Sequence, residues 1–212
     1  MEERLTELSC EEFTERLAAR ESVPGGGGAA ALVGALGIAL CSMAGAFTAG
    51  KPRFAAVEDR VLRLMDEAED VRFRLLELVH EDAEGFSPLS EAYALPKDDP
   101  TRADAIERAT GDACMAPLAM VGECCRAVAL LEEMGACCSR LLISDVACGA
   151  LLVRAALETA SVNVYVNTSA LTDRTVANRI ESTCSELIDE YAPRAERLAS
   201  EMTRRISERR KG

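Results

Sequence analysis

The chain has 212 residues, enough for one domain with a core of its own. Hydrophobic residues make up 49% and aromatics only 4%, with no Trp, so the core has to be built from Ala, Leu, Val, Met and Cys. A net charge of −12 excludes the basic footprint that nucleic acid requires, and it obliges any anionic ligand to find a local cluster of cations.

In chain order, Ser9 followed by Glu12 is a capping-box pair and predicts a short helix ending at residue 19. The run Val23-Pro24-Gly25-Gly26-Gly27-Gly28 breaks it. Residues 29–49 then carry no charge, a length that would cross a membrane. Ala and Gly dominate there rather than Leu, and no aromatic belt flanks the segment. A helix apolar all round also suits the centre of a helical domain, so a buried helix and no membrane association are expected. After Lys51-Pro52 a long helix is predicted over 54–94. Val57, Val61, Leu64, Ala68, Val71, Leu75 and Leu78 form its seam, with a loosening at Gly85 or Phe86. A helix over 101–134 should kink at Pro117 and stop at Gly135. Ser144 is placed to cap a helix over 145–167, with Asp145 in its first turn, and a last helix runs over 172–210 with Pro193 inside it. The basic stretch 204–211 suits that helix's C-terminal end. The expected fold is all-α: an elongated bundle of about six helices, two of them long, in a single domain over 1–212. Such bundles often bury a further face by forming a homodimer.

The nine cysteines are odd in number and contain no C-x-x-C pair, and His80 is the only histidine, so no metal site is expected. They are expected to be small buried helix residues. The first fifteen residues carry charges throughout and do not resemble a secretory signal, so reduced thiols and a cytoplasmic location are expected.

Five features have chemical potential. Gly25, Gly26, Gly27 and Gly28 let a backbone come close to a ligand, and the helix start beyond them offers unpaired amides. Asp82 falls on the apolar seam of the long helix, where a carboxylate is costly unless it is paired or used; burial there would suit a proton donor. His80 does not share a face with Asp82 and is expected at the surface. Ser144-Asp145 is a cap or a functional pair. Asn163 and Asn167 lie four apart on an otherwise apolar helix and need partners if buried. Asp145 and Asn163 share a face about 27 Å apart, so one subunit cannot easily use both, whereas a paired subunit brings opposite ends together. Lys51, Arg53, Lys97 and Arg102 flank helix ends and supply candidate cations.

Together these fragments resemble a known family. Pro24-Gly25-Gly26-Gly27 before an Ala/Gly/Leu helix is one of its signatures. Asp82-Ala83-Glu84 with Phe86, then Ala92-Tyr93 and Leu95-Pro96-Lys97, is a second. Ile143-Ser144-Asp145-Val146 and Asn163-Val164-Tyr165-Val166-Asn167 complete the set. The family comprises formimidoyltetrahydrofolate cyclodeaminases and methenyltetrahydrofolate cyclohydrolases. Gly28 stands where the family usually has Ser, Gly85 where it usually has Ala, and Gly135-Ala136-Cys137-Cys138-Ser139 replaces an Asn-rich stretch. The resemblance implies an all-helical homodimer acting on a tetrahydrofolate derivative, polyglutamylated forms included, without metal or redox cofactor. It implies Asp82 as acid/base with Asp145 as second carboxylate or orienter, and the glycines lining the pterin or the reacting carbon. Asn163 and Asn167 would lie at the pterin edge or hold the walls, and Lys51 and Lys97 would hold the glutamate tail. The competing class is a non-catalytic folate-binding or scaffolding dimer.

Overall fold

Small residues decide how closely the helices of this protein pack. The computed structural model describes residues 4–208, and among them every regular element is helical. Two short 3-10 turns, Leu5–Glu7 and Pro52–Val57, accompany seven α-helices: α1 (Cys10–Ala18), α2 (Gly26–Ala46), α3 (Glu58–Ala94), α4 (Arg102–Ala113), α5 (Met115–Cys137), α6 (Ile143–Ser169) and α7 (Arg174–Glu208). The bundle is elongated because α3 and α7, at 37 and 35 residues, are each over 50 Å long at about 1.5 Å per residue.

The Ser9 capping box forms as expected: Glu12 N–H donates to Ser9 Oγ at 3.1 Å, and Ser9 N–H donates to the Glu12 carboxylate at 2.9 Å. The glycine run behaves differently from the expected loop, because Gly26, Gly27 and Gly28 form the first turn of α2. Glycine weakens a helix, but here the missing side chains make room for neighbours at the helix tip. The α3 seam from Val61 to Leu78 is wholly buried. Neither Gly85 nor Phe86 loosens α3; the helix runs on through Pro88 to Ala94.

The helix expected over 101–134 is two helices, broken at Cys114 rather than kinked at Pro117. The reason lies in the proline. Lacking an N–H, Pro117 cannot satisfy the Ala113 carbonyl one turn earlier, and the Asn167 side-chain amide donates to that carbonyl instead, at 2.7 Å. Gly135 does not stop α5, which continues to Cys137; its bare Cα lets α6 approach, since a methyl there would lie 3.2 Å from Val146 Cγ1. Ser144 is not a cap either. Leu142 takes the N-cap position of α6, and the Ser144 hydroxyl donates to Asp145 Oδ2 at 3.3 Å inside the first turn. Pro193 sits within α7 without ending it, and the basic stretch 204–211 lies partly outside the described residues.

The central packing is the contact of α2 with α3 on one side and α6 on the other. Pairs such as Gly28 with Val79 and Gly45 with Met65 show that α2 and α3 run antiparallel; Gly34 with Ala156 and Gly37 with Val153 show the same for α2 and α6. At the closest crossing a methyl on Gly37 would lie 2.7 Å from Val153 Cγ2, and one on Gly149 would lie 2.8 Å from the Gly37 carbonyl oxygen. By length and apolarity α2 would suit a membrane, yet half of its apolar window is buried inside the bundle.

Candidate functional site

The tip of α2 is built against two polar side chains. Gly25 is the N-cap residue and has no side chain with which to cap the helix. Asp82 of α3 supplies the missing acceptor: the Gly28 amide donates to its carboxylate. The carboxylate lies flat against the backbone of Gly27, where a methyl would sit only 2.3 Å from Oδ1 and 2.5 Å from Oδ2. Glycine at position 27 is therefore what admits Asp82. Two influences act on this acid. Burial pushes its pKa above the usual carboxylate range, and the Gly28 hydrogen bond pulls the other way; burial prevails. The carboxylate is thus poised to carry a proton beside a helix N-terminus whose amides attract electron-rich atoms.

Asn163 of α6 closes the other side of the tip. A methyl on Gly26 would touch its amide group at 3.4 Å, while Asn163 Nδ2 donates back to Thr159 O at 2.9 Å. That bond leaves the Asn163 oxygen directed along the glycine tip. Asp82, Gly25, Gly26, Gly27, Gly28 and Asn163 therefore form one group at one end of the bundle. Asn167 sits a turn further along α6, but its amide serves the Ala113 carbonyl described above.

The remaining sequence-predicted residues lie elsewhere. Antiparallel packing puts Lys51, Ser144 and Asp145 at the opposite end, about 27–30 Å from the glycine tip by helical rise. There Lys51 Nζ donates to Phe47 O at 2.5 Å, Arg53 donates to Ser139 Oγ at 3.1 Å, and Arg205 donates to Gly135 O at 3.1 Å. Arg140, Ile143, Arg205 and Glu208 line a common hollow. Cations therefore cluster at this end of the bundle, with Glu208 among them, while Lys97 and Arg102 of the expected set do not join them. Lys97 follows the end of α3, which itself extends about 18 Å beyond Asp82. Arg102 is occupied with the Leu95 carbonyl at 3.1 Å.

His80 is not the surface residue expected. It is half-buried, its Nε2 lies 2.7 Å from Thr6 Oγ1, and burial depresses its pKa with help from nearby Arg4. With Arg4, Arg16, Val23, Ala83 and Phe86 it lines a cavity of about 890 Å³ beside the glycine tip. Seven of the nine cysteines are buried and none is bonded to another, so packing pushes Cys41, for instance, up to about 12. Among the described residues no three His, Cys, Asp or Glu side chains converge as a metal site.

One feature the sequence reading missed is a continuous uncharged outer face. On α2 it comprises Gly25, Ala29, Leu32, Leu36, Leu40, Met43 and Phe47; on α6, Ser144, Cys148, Leu151, Ala155, Thr159, Val162 and Val166. Leu36, Phe47, Leu151, Val162 and Val166 are all more than half exposed. Both stripes advance by four, three, four, four, three and four residues, so each is symmetric about its middle, Leu36 or Ala155. That spacing was the available signal.

Residues 9–186 match the model of the formiminotransferase-cyclodeaminase family. The chain is 34% identical over 192 residues to a methenyltetrahydrofolate cyclohydrolase of Methylorubrum extorquens, a span covering 89% of this chain and 92% of that protein. It is 30% identical over 198 residues to a formimidoyltransferase-cyclodeaminase of Mus musculus, covering 92% of this chain but 37% of the mouse protein. Its fold superposes on a crystal structure of a formiminotetrahydrofolate cyclodeaminase from Thermotoga maritima with a TM-score of 0.83 and 25% identity, over 94% of this chain and 99% of the other. A match along most of its length, joined to a glycine tip with its carboxylate in place, means that the chain belongs to the formiminotransferase-cyclodeaminase family.

Proposed function

We propose that this protein is a folate one-carbon enzyme acting at the carbon that bridges two tetrahydrofolate nitrogens, and that its working form is a homodimer. One observation carries the chemistry: a half-buried carboxylic acid with a raised pKa, Asp82, is pressed against the bare backbone of the glycine tip. In hydrolysis of methenyltetrahydrofolate, water adds to the methenyl carbon as Asp82 takes its proton. The acid then returns that proton to the nitrogen whose bond to carbon breaks, while the hydroxyl on that carbon loses its own proton to solvent as the formyl C=O forms. In cyclodeamination the second folate nitrogen, the one outside the pterin ring, attacks the formimidoyl carbon and gives its proton to Asp82, which passes it to the amine that leaves as ammonia. The near-full-length similarity to a cyclohydrolase makes hydrolysis the first reaction to assay. Neither reaction calls on a cofactor beyond the folate itself.

The uncharged face of α2 and α6 supports the pairing. In a chain of net charge −12, fourteen aligned uncharged positions form a surface suited to a second copy of itself. A two-fold axis crossing the helices at Leu36 and Ala155 sets α2 on α2 and α6 on α6, antiparallel. It places the Lys51, Ser144 and Asp145 end of one subunit over the Asp82 end of the other. Asp145 then serves as second carboxylate or orienter, and the cation cluster meets the glutamate tail, polyglutamylated tails above all.

Two measurements test this reading. Methenyl- and formimidoyltetrahydrofolate, supplied separately and followed by absorbance, should show turnover of at least one; saturable binding with neither consumed would make the protein a non-catalytic folate binder. Leu36→Glu places a charge on a position 54% exposed in the protomer, so the subunit should still fold. Sedimentation should then find a monomer, and activity should fall by at least tenfold. A monomeric variant with full activity would remove the shared site.

A further inference from the structure

We propose that Phe47 of one subunit forms an aromatic wall of the other subunit's site, against which the planar ring system of the substrate lies. The inference rests on the homodimeric reading above and adds to it a specificity-determining residue. Phe47 closes α2, and its ring is 52% exposed in a chain that has few aromatics and no Trp. Lys51 lies beside it. The Phe47 carbonyl accepts from Lys51 Nζ at 2.5 Å, and the same ammonium lies 6.0 Å from the ring centroid. Ring and cation are therefore presented together, a pair that matches a flat, electron-rich ring followed by a carboxylate.

Register carries the pair to the site. Phe47 stands eleven residues after Leu36 and Gly25 eleven before it, on the same face of α2. A two-fold at Leu36 consequently sets Phe47 over Gly25 of the partner subunit, next to the position where Gly27 and Asp82 meet. Within its own subunit Phe47 is a whole helix length from the glycine tip, about 30 Å, and no monomeric arrangement uses it there. By the same register Leu36 lies over Leu36 of the partner subunit and Met43 over Ala29 of the partner subunit, so these apolar residues serve only to cover the interface. The aromatic ring falls where the covered face gives way to the site.

The absence of Trp makes this directly observable. In Phe47→Trp the single indole should be quenched saturably by methenyltetrahydrofolate, with a midpoint near the KM. Phe73→Trp provides the control: Phe73 is 56% exposed, stacked under Arg72 at 4.5 Å, nine residues before Asp82 and on the opposite face of α3. It should respond only to the absorbance of the added ligand. Phe47→Ala should raise KM by about 3- to 10-fold with little change in kcat, as expected for loss of a stacking contact. Phe47→Leu keeps the apolar cover and removes only the flat ring, so it should share the KM defect while sedimenting as a dimer, and it decides the matter if the Ala variant dissociates. A dimer in which Phe47→Trp is unresponsive and Phe47→Leu keeps the native KM overturns the role of Phe47 and leaves the pairing intact. A native protein that is active as a monomer, with Cys148 as reactive toward thiol reagents as exposed Cys10, overturns both.

Discussion

Replacing Asp82 by Asn is expected to lower turnover by about 10²- to 10⁴-fold, the usual contribution of a positioned acid/base group, while the protein melts no lower than the native form. The two halves of this expectation have one origin. Asn keeps an oxygen that accepts from the Gly28 amide, so the cap on α2 persists, but it cannot carry a proton. It also removes a carboxylate that the fold holds under protest, since burial raises the Asp82 pKa. The sign follows from linkage. Between the ordinary Asp value of about 3.9 and its raised folded value, the folded state binds more protons than the unfolded one. Native stability therefore declines as pH rises through that window and levels off above it. Asp82→Asn should lose this decline, and its advantage should be greatest on the alkaline side. Paired melting curves and rates across pH would check the point. A folded variant that is active at native rates would remove Asp82 from the mechanism.

Gly149→Ala is expected to produce the largest loss of stability from the smallest change of side chain. The added methyl would lie 2.8 Å from the Gly37 carbonyl oxygen and 2.9 Å from Leu131 Cδ2. The first of these is backbone and cannot swing away, so α2 and α6 must part. Alanine's better helix propensity returns up to about 1 kcal/mol. Overpacking costs about 1–3 kcal/mol or more, and separating the helices at their closest crossing loosens neighbouring contacts too. A net loss of about 2 kcal/mol in urea unfolding is expected. Gly122→Ala in α5 is the counter-experiment: nothing lies within 4 Å of its added methyl, so propensity acts alone and the variant should gain up to about 1 kcal/mol. Equal effects at the two positions would mean that the crossing is looser than its geometry implies.

Much of the helical layout was legible because it is local. The Ser9–Glu12 box, the α3 seam and the asparagine pair of α6 each announce themselves within a few residues. The errors share a cause, because they arose where a partner distant in the sequence decides. The α4–α5 segment breaks at Cys114 because Pro117 leaves the Ala113 carbonyl open, and it is Asn167, far along the sequence, that donates to it. Gly26 and Gly27 stay bare in the first turn of α2 because Asn163 and Asp82 occupy the space side chains would need. Asp82 stood out as a carboxylate on an apolar stripe, but its seat on Gly27 was not visible, since no sequence rule pairs those two positions. The uncharged outer face of α2 and α6 was overlooked for a simpler reason. The composition of α2 suggested burial on every side, and only the packing of the protomer separates the half that faces α3 and α6 from the half that faces outward.

The crossing of Gly37 with Gly149 also has a consequence for how the chain is made. The two glycines are separated by 112 positions, which the ribosome needs roughly 6 to 20 s to add. Throughout that interval the newborn α2 carries a grooved flank whose counterpart has not yet been translated, and it has no charge of its own to keep it in water. Its early company is α3, joined later by α5. The maturing polypeptide thus passes through a stage in which its least hydrated segment waits half-clothed, and any factor that shields nascent chains would find its natural target there.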